Sequence, residues 1–202
     1  MKREADKLSR TDATAAAIVA TQAILYFMSA FACDDQSRKI KGKLQLHENW
    51  KSTAEFILWV INLQKEHRET ELEGLCHQLH AVCHQRLYDN EMKFLRSCHK
   101  SFEKQGKPIT PDDQFWKIWT ESMVHYATIS KEWRAGHTIL SEKTLKEKFP
   151  HTWKARESWG QGQFQEGELD GSYRLPLGRE SAISEAVGFA QTLLKELAEQ
   201  RK

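Results

Sequence analysis

Five side chains able to hold a soft metal fall within nine residues: Cys76, His77, His80, Cys83 and His84, with Cys98-His99 further on. Thiolate and imidazole are the ligands zinc prefers, so metal binding is the first chemistry to weigh. Helical geometry argues against it. At 1.5 Å per residue, Cys76 and Cys83 lie about 10.5 Å apart along a helix axis, too far to share one ion. At most two ligands, such as Cys76 with His80 or His80 with His84, could serve one metal, the rest coming from elsewhere. Cys76 and Cys83 also share a stripe with Leu72, Leu75 and Leu79, where cysteine behaves as a small hydrophobe. Core packing is therefore expected, with no metal site and no cofactor.

Arg86 projects from the same apolar arc, where an unpaired charge is costly. Two readings stay open: a stem packed at the rim with its head in water, or a buried ion pair with an Asp or Glu that fixes helix register. Enzymatic chemistry finds no foothold. The chain has no glycine-rich phosphate loop, nucleophile elbow, HExxH or paired-acid motif, so no catalytic residue is assigned. Asp34-Asp35 and Asp112-Asp113 are expected to terminate and cap helices. Trp119, Tyr126 and Trp133 lie at helical spacing and are expected in the core, while Trp116 sits off that stripe as an interface candidate.

The elements that must position these residues are helices. Four prolines and ten glycines among 202 residues, with abundant Ala, Leu, Glu, Lys and Gln, favour helix, and no alternating strand pattern bounded by hairpin turns occurs. The longest signal is Ala13 to Cys33, twenty-one residues without a charge in a chain that is 29% charged. Apolar all round, such a helix is either a core element or a membrane span. Eight alanines and the interruptions Thr14, Thr21, Gln22 and Ser29 favour a central helix wrapped by others, with no membrane contact. It is expected to start near residue 4 or 11 and end at Asp34. Further helices are expected over 48–65, 71–88, from Asp89-Asn90 to about 105 with Phe94 and Leu95 inward, from Thr110-Pro111 to about 136, and over 141–149. The stretch from Gly160 to Gly178 is expected to be a flexible loop. An amphipathic helix closes the chain over 179–201.

The last helix carries Ile183, Val187, Ala190, Leu194 and Leu197 at alternating four- and three-residue spacing. Phe189 and Leu193 widen its apolar arc to about 160°, more than the ~100° that one core requires. The surplus predicts a partner surface on Val187, Phe189, Leu193 and Leu197, or equally a helix overburied by its neighbours. The chain is thus expected to form one all-α domain, an antiparallel, tetratricopeptide-like array of about seven to eight helices over residues 1–202.

Net charge is +2, so nothing global demands a polyanion. Basic clusters at Arg38 to Lys43 and Lys143 to Arg156 leave weak nucleic-acid contact as a secondary expectation. The four cysteines sit inside helical patterns rather than a disulfide framework, and no signal-peptide pattern opens the chain, which predicts a reducing compartment.

In this order the helices resemble the C-terminal homology domain of the AFF scaffold proteins of the super elongation complex. Ala23 to Cys33 is similar to that domain's first long helix, an alanine-rich run ending in phenylalanine and cysteine. Ser52 to Leu58, leading to Leu63-Gln64-Lys65, resembles its second. Leu75-Cys76, followed by Gln85-Arg86 and Tyr88, resembles its third, and Met123 to Leu140 and Leu175 to Leu197 its later helices. The resemblance spans about residues 5–200, with the long insertion in the middle of that domain reduced to Gln105–Pro111. It implies a nuclear, non-enzymatic helical module that forms homodimers and supports transcription elongation beside ELL- and EAF-type factors, reaching RNA polymerase II indirectly. The alternative is a helical interaction module with a Cys/His metal site or a nucleic-acid-binding surface.

Overall fold

Small side chains along one side of the N-terminal segment let other helices approach it closely. The computed structural model describes residues 13–41, 47–105, 113–156 and 173–201. Among these are seven helices and no strand: α1 (Ala13–Ile40), α2 (His47–His67), α3 (Thr70–Gln105), α4 (Asp113–Ile139), α5 (Glu142–Lys148), α6 (Pro150–Ala155) and α7 (Ile183–Gln200). The all-α array expected from composition is the observed fold. α3 packs between α2 and α4, and α1 against α2, α3 and α7.

α1 buries Ala16, Ala17, Ala20, Ala23, Ile24, Leu25 and Met28. It is long and apolar enough to cross a bilayer, but here that buried face meets the other helices. The wrapping is one-sided: Tyr26 and Phe27 stay 62% and 42% exposed, which corrects the expectation of cover all round. α1 also runs past the predicted stop at Asp34, because both carboxylates there have partners. Asp34 accepts from Arg38 one turn on at 2.8 Å, and Asp35 turns inward.

Likewise α3 is continuous through Asp89-Asn90, where a break was expected. Asp89 accepts from Gln85 one turn earlier at 2.9 Å, and Asn90 is buried, so neither caps a new helix. Leu95 is buried, but Phe94 is exposed rather than inward. Ser141 caps α5, its hydroxyl accepting from Thr144 N at 3.1 Å. Pro150 then opens α6 as a first-turn residue instead of ending the structure. The Thr110-Pro111 cap and the extension of α1 before Ala13 lie outside the described residues.

Only the far end of the predicted flexible loop is described, and it belongs to the core. Tyr173 and Leu177 are buried, and Tyr173 donates to Thr152 O at 2.7 Å. Beside them α7 contradicts its expected role. Val187, Phe189 and Leu193 are 0% exposed and Leu197 4%, with Phe189 edge-on to Tyr173 at 5.5 Å. The wide apolar arc is covered by the chain's own elements, α1 and Tyr173 among them. It is overburied, not an exposed partner surface.

The approach of α3 to α4 rests on two glycines. A Cβ on Gly74 would lie 2.6 Å from Ile139 Cγ2, and one on Gly136 2.5 Å from Gln78 Cγ and 3.0 Å from the Gly74 carbonyl oxygen. A methyl group at either place must push the helices apart. Gly136→Ala is expected to cost about 1–3 kcal/mol despite alanine's better helix propensity, seen as a lower midpoint in urea unfolding. An unchanged or raised midpoint would mean the crossing is loose.

Candidate functional site

A groove runs over α3 between the flanks of α2 and α4. Its volume is about 540 Å³, and its lining includes Ala54 and Leu58 from α2, Leu87 from α3 and Val124 from α4. Lys51 of α2 bonds Glu121 of α4 across it at 3.2 Å. The floor is where the Cys/His-rich stretch of α3 meets α4.

Helical spacing sorts that stretch into two faces. Cys76 and Cys83 point into the core, fully buried, as expected. Cys76 takes a hydrogen bond from Gln64 Nε2 at 3.3 Å. Burial raises its pKa to about 11 and pushes that of Cys83 higher still, so both stay as thiols. The other face carries the histidines. His77 Nδ1 lies 2.5 Å from Glu132 Oε2 of α4, and His80 Nδ1 lies 3.4 Å from the same oxygen. His80 Nε2 meets His84 Nε2 at 3.0 Å, and His84 Nδ1 meets His125 Nδ1 of α4 at 2.8 Å. His125 Nε2 in turn lies 3.2 Å from Glu91 Oε1. Burial first, then the charges of His80 and His125, hold His84 down to a pKa of about 3. Burial alone would raise the pKa of Glu132, but the imidazoles of His77 and His80 hold it well below the usual carboxylate range.

His84 spends its two nitrogens on opposite neighbours, so the imidazoles form a chain and not a cage. Among the described residues no three His, Cys, Asp or Glu side chains converge to hold an ion. The row of imidazoles was only half visible beforehand. His80 and His84 stand one turn apart on α3, but His125 lies 41 residues beyond His84 and joins them only through the α3–α4 crossing.

Arg86 takes the second of its two readings. Its Nε and Nη2 donate to Asp35 Oδ2 at 3.0 and 2.9 Å, and Trp50 Nε1 donates to the same oxygen at 2.9 Å. One buried carboxylate thereby ties α1, α2 and α3 together.

On the outer side of α4, Trp116, Trp119, Met123 and Tyr126 recur at three- and four-residue spacing and are 54%, 41%, 39% and 44% exposed. Trp116 was expected at the surface; Trp119 and Tyr126 were expected in the core. Trp133 is buried as expected, and with Ser122, Ile129 and Glu132 it sets the inward face of α4. Polar His125 and Glu132 turn toward α3, and the exposed aromatics lie on the other side of the helix. Tyr126 sits 5.7 Å from Tyr88 and carries the Arg179 guanidinium 4.6 Å above its ring.

The basic clusters are largely engaged. Arg38 pairs with Asp34, Lys143 with Glu147, Lys146 with Glu142 and Lys148 with Glu71. Arg156 stacks on Trp153. Lys43 lies outside the described residues. No protein-family model matches this chain, and no curated protein is similar to it at a significant level.

Proposed function

We propose that this chain is a non-enzymatic helical scaffold that self-associates through the exposed aromatic stripe of α4 and supports a transcription-elongation assembly in the nucleus. The observation that carries the self-association is the row Trp116, Trp119, Met123 and Tyr126, four large side chains that stay partly exposed on one helix face. Contiguous exposed aromatics on a soluble domain mark contact surfaces, and Trp and Tyr dominate the energetics of such contacts. The role in elongation, beside ELL- and EAF-type factors, rests on the resemblance of the helices to the AFF C-terminal homology domain.

Sedimentation at micromolar concentration tests the first part. The native chain is expected to dimerise. The double variant Trp116→Glu, Trp119→Glu is expected to keep its helical signal while its dimer dissociation constant rises at least about 30-fold, the loss of one strong aromatic contact. A native chain that stays monomeric at high concentration sinks the dimer. Co-purification from nuclear extract tests the second part, and absence of any elongation factor would remove it.

A further inference from the structure

The row of imidazoles between α3 and α4 has a proton count that its geometry fixes. Two links join ring nitrogens directly, His80 to His84 and His84 to His125. Each needs one hydrogen: with none, two lone pairs face each other, and with two, two N–H groups collide. At the ends, His80 Nδ1 and His125 Nε2 face carboxylate oxygens of Glu132 and Glu91 at 3.4 and 3.2 Å without forming aligned hydrogen bonds. A proton is needed there too, because a bare ring nitrogen would set its lone pair against the lone pairs of a buried carboxylate oxygen. Four links need four hydrogens, and three neutral imidazoles supply three.

We propose that His80, His84 and His125, bounded by Glu132 and Glu91, hold one shared excess proton between them and act as a pH-sensitive clasp between α3 and α4.

The surroundings leave that proton little else to answer to. From α3, His77 faces Glu132 and also Glu73, at 3.5 Å. From α4, Lys131 lies 4.0 Å from Glu132, and Glu121 is taken up by Lys51 of α2. Glu55 of α2 lines the same groove. The two carboxylates at the ends outnumber the single proton, so the chain retains it. Because burial and its neighbours keep His84 uncharged, the proton resides at one end or the other. His84 reports which: with the charge on His80 its hydrogen sits on Nδ1, and with the charge at the His125–Glu91 end it sits on Nε2. Moving the charge from end to end needs only proton hops within existing links.

Linkage gives the pH dependence. Three free imidazoles with a pKa of about 6.5 together bind one proton near pH 6.8. Below that, the unfolded chain binds more than the clasp can hold, and stability falls as pH drops. Above it, the folded chain binds more, and stability falls as pH rises. The clasp is tightest near neutrality and loosens on both sides.

Two measurements on the intact chain test this. In long-range ¹H–¹⁵N correlation spectra of the native protein, His84 is expected to keep one protonated and one bare nitrogen from about pH 8 to about pH 5.5, while a full charge appears within His80 and His125. Urea unfolding over the same range is expected to give a maximum near pH 6.8. The unfolding constant should rise by about tenfold per pH unit on average between pH 6.8 and pH 5.5. His84→Gln, if folded, is expected to flatten that profile. A His84 that titrates at the ordinary value, three imidazoles titrating independently, or stability without a maximum in this range would each overturn the proposal. The spectra decide even if the variant does not fold.

Discussion

Phe189→Glu or Leu193→Glu is expected to unfold the protein rather than loosen an assembly. Both side chains are fully buried where α7 meets α1 and Tyr173. Losing a core phenylalanine or leucine alone costs about 2–5 kcal/mol. A carboxylate placed among apolar side chains adds several kcal/mol more, whether it stays charged or is forced to take up a proton. The total rivals the roughly 5–15 kcal/mol by which domains are stable. Circular dichroism should show loss of cooperative melting, or a midpoint lowered by tens of degrees. A variant that kept native melting and only lost mass in sedimentation would return α7 to the surface and undo the core drawn here.

Asp35→Ala should be the most damaging single change among the polar residues. It strips the Arg86 guanidinium and the Trp50 indole of the oxygen both donate to and leaves a half-buried positive charge unanswered. Removing one member of a buried pair costs about 3–5 kcal/mol; partial exposure of Arg86 moves the expectation to about 2–4 kcal/mol. Asp35→Asn keeps one acceptor oxygen but no charge, and is expected to lose less. Adding Arg86→Met to Asp35→Ala should restore part of the loss, because the stranded charge goes with it. A double-mutant cycle that is strictly additive would show that the two residues do not act on each other.

These expectations explain which parts of the fold were legible in the chain. α2, expected over 48–65, and the start of α5 near residue 141 are local matters, settled by near neighbours in sequence. Misjudged boundaries share one cause. Asp34-Asp35 and Asp89-Asn90 have the composition of helix ends, yet each is held inside a helix by a partner or by burial. Asp34 and Asp89 find theirs one turn away, whereas Asp35 finds Arg86 at a separation of 51 residues. Burial of Tyr173 and Leu177 was hidden for the same reason, since glycine-rich surroundings say nothing about where a single aromatic docks. On α4 Trp133 lies in the core as its spacing predicts, while Trp119 and Tyr126 turn outward. Periodicity reveals that a face exists, but which face turns inward was decided by buried polar partners on α3. The chemistry of the Cys/His stretch divided similarly: cysteines in the core followed from the apolar stripe, and the proton-sharing row needed a third histidine from a distant helix.

The cysteines leave one consequence for life in air. Cys76 and Cys83 are shut away from solvent and kept as thiols, while Cys33 stands exposed on α1 and Cys98 is partly exposed on α3. Peroxide attacks thiolates that it can reach. Ageing by oxidation is thereby steered to the protein's skin, where a sulfenic acid at Cys33 leaves the packing untouched, and the interior sulfurs become vulnerable only in molecules that have already come apart.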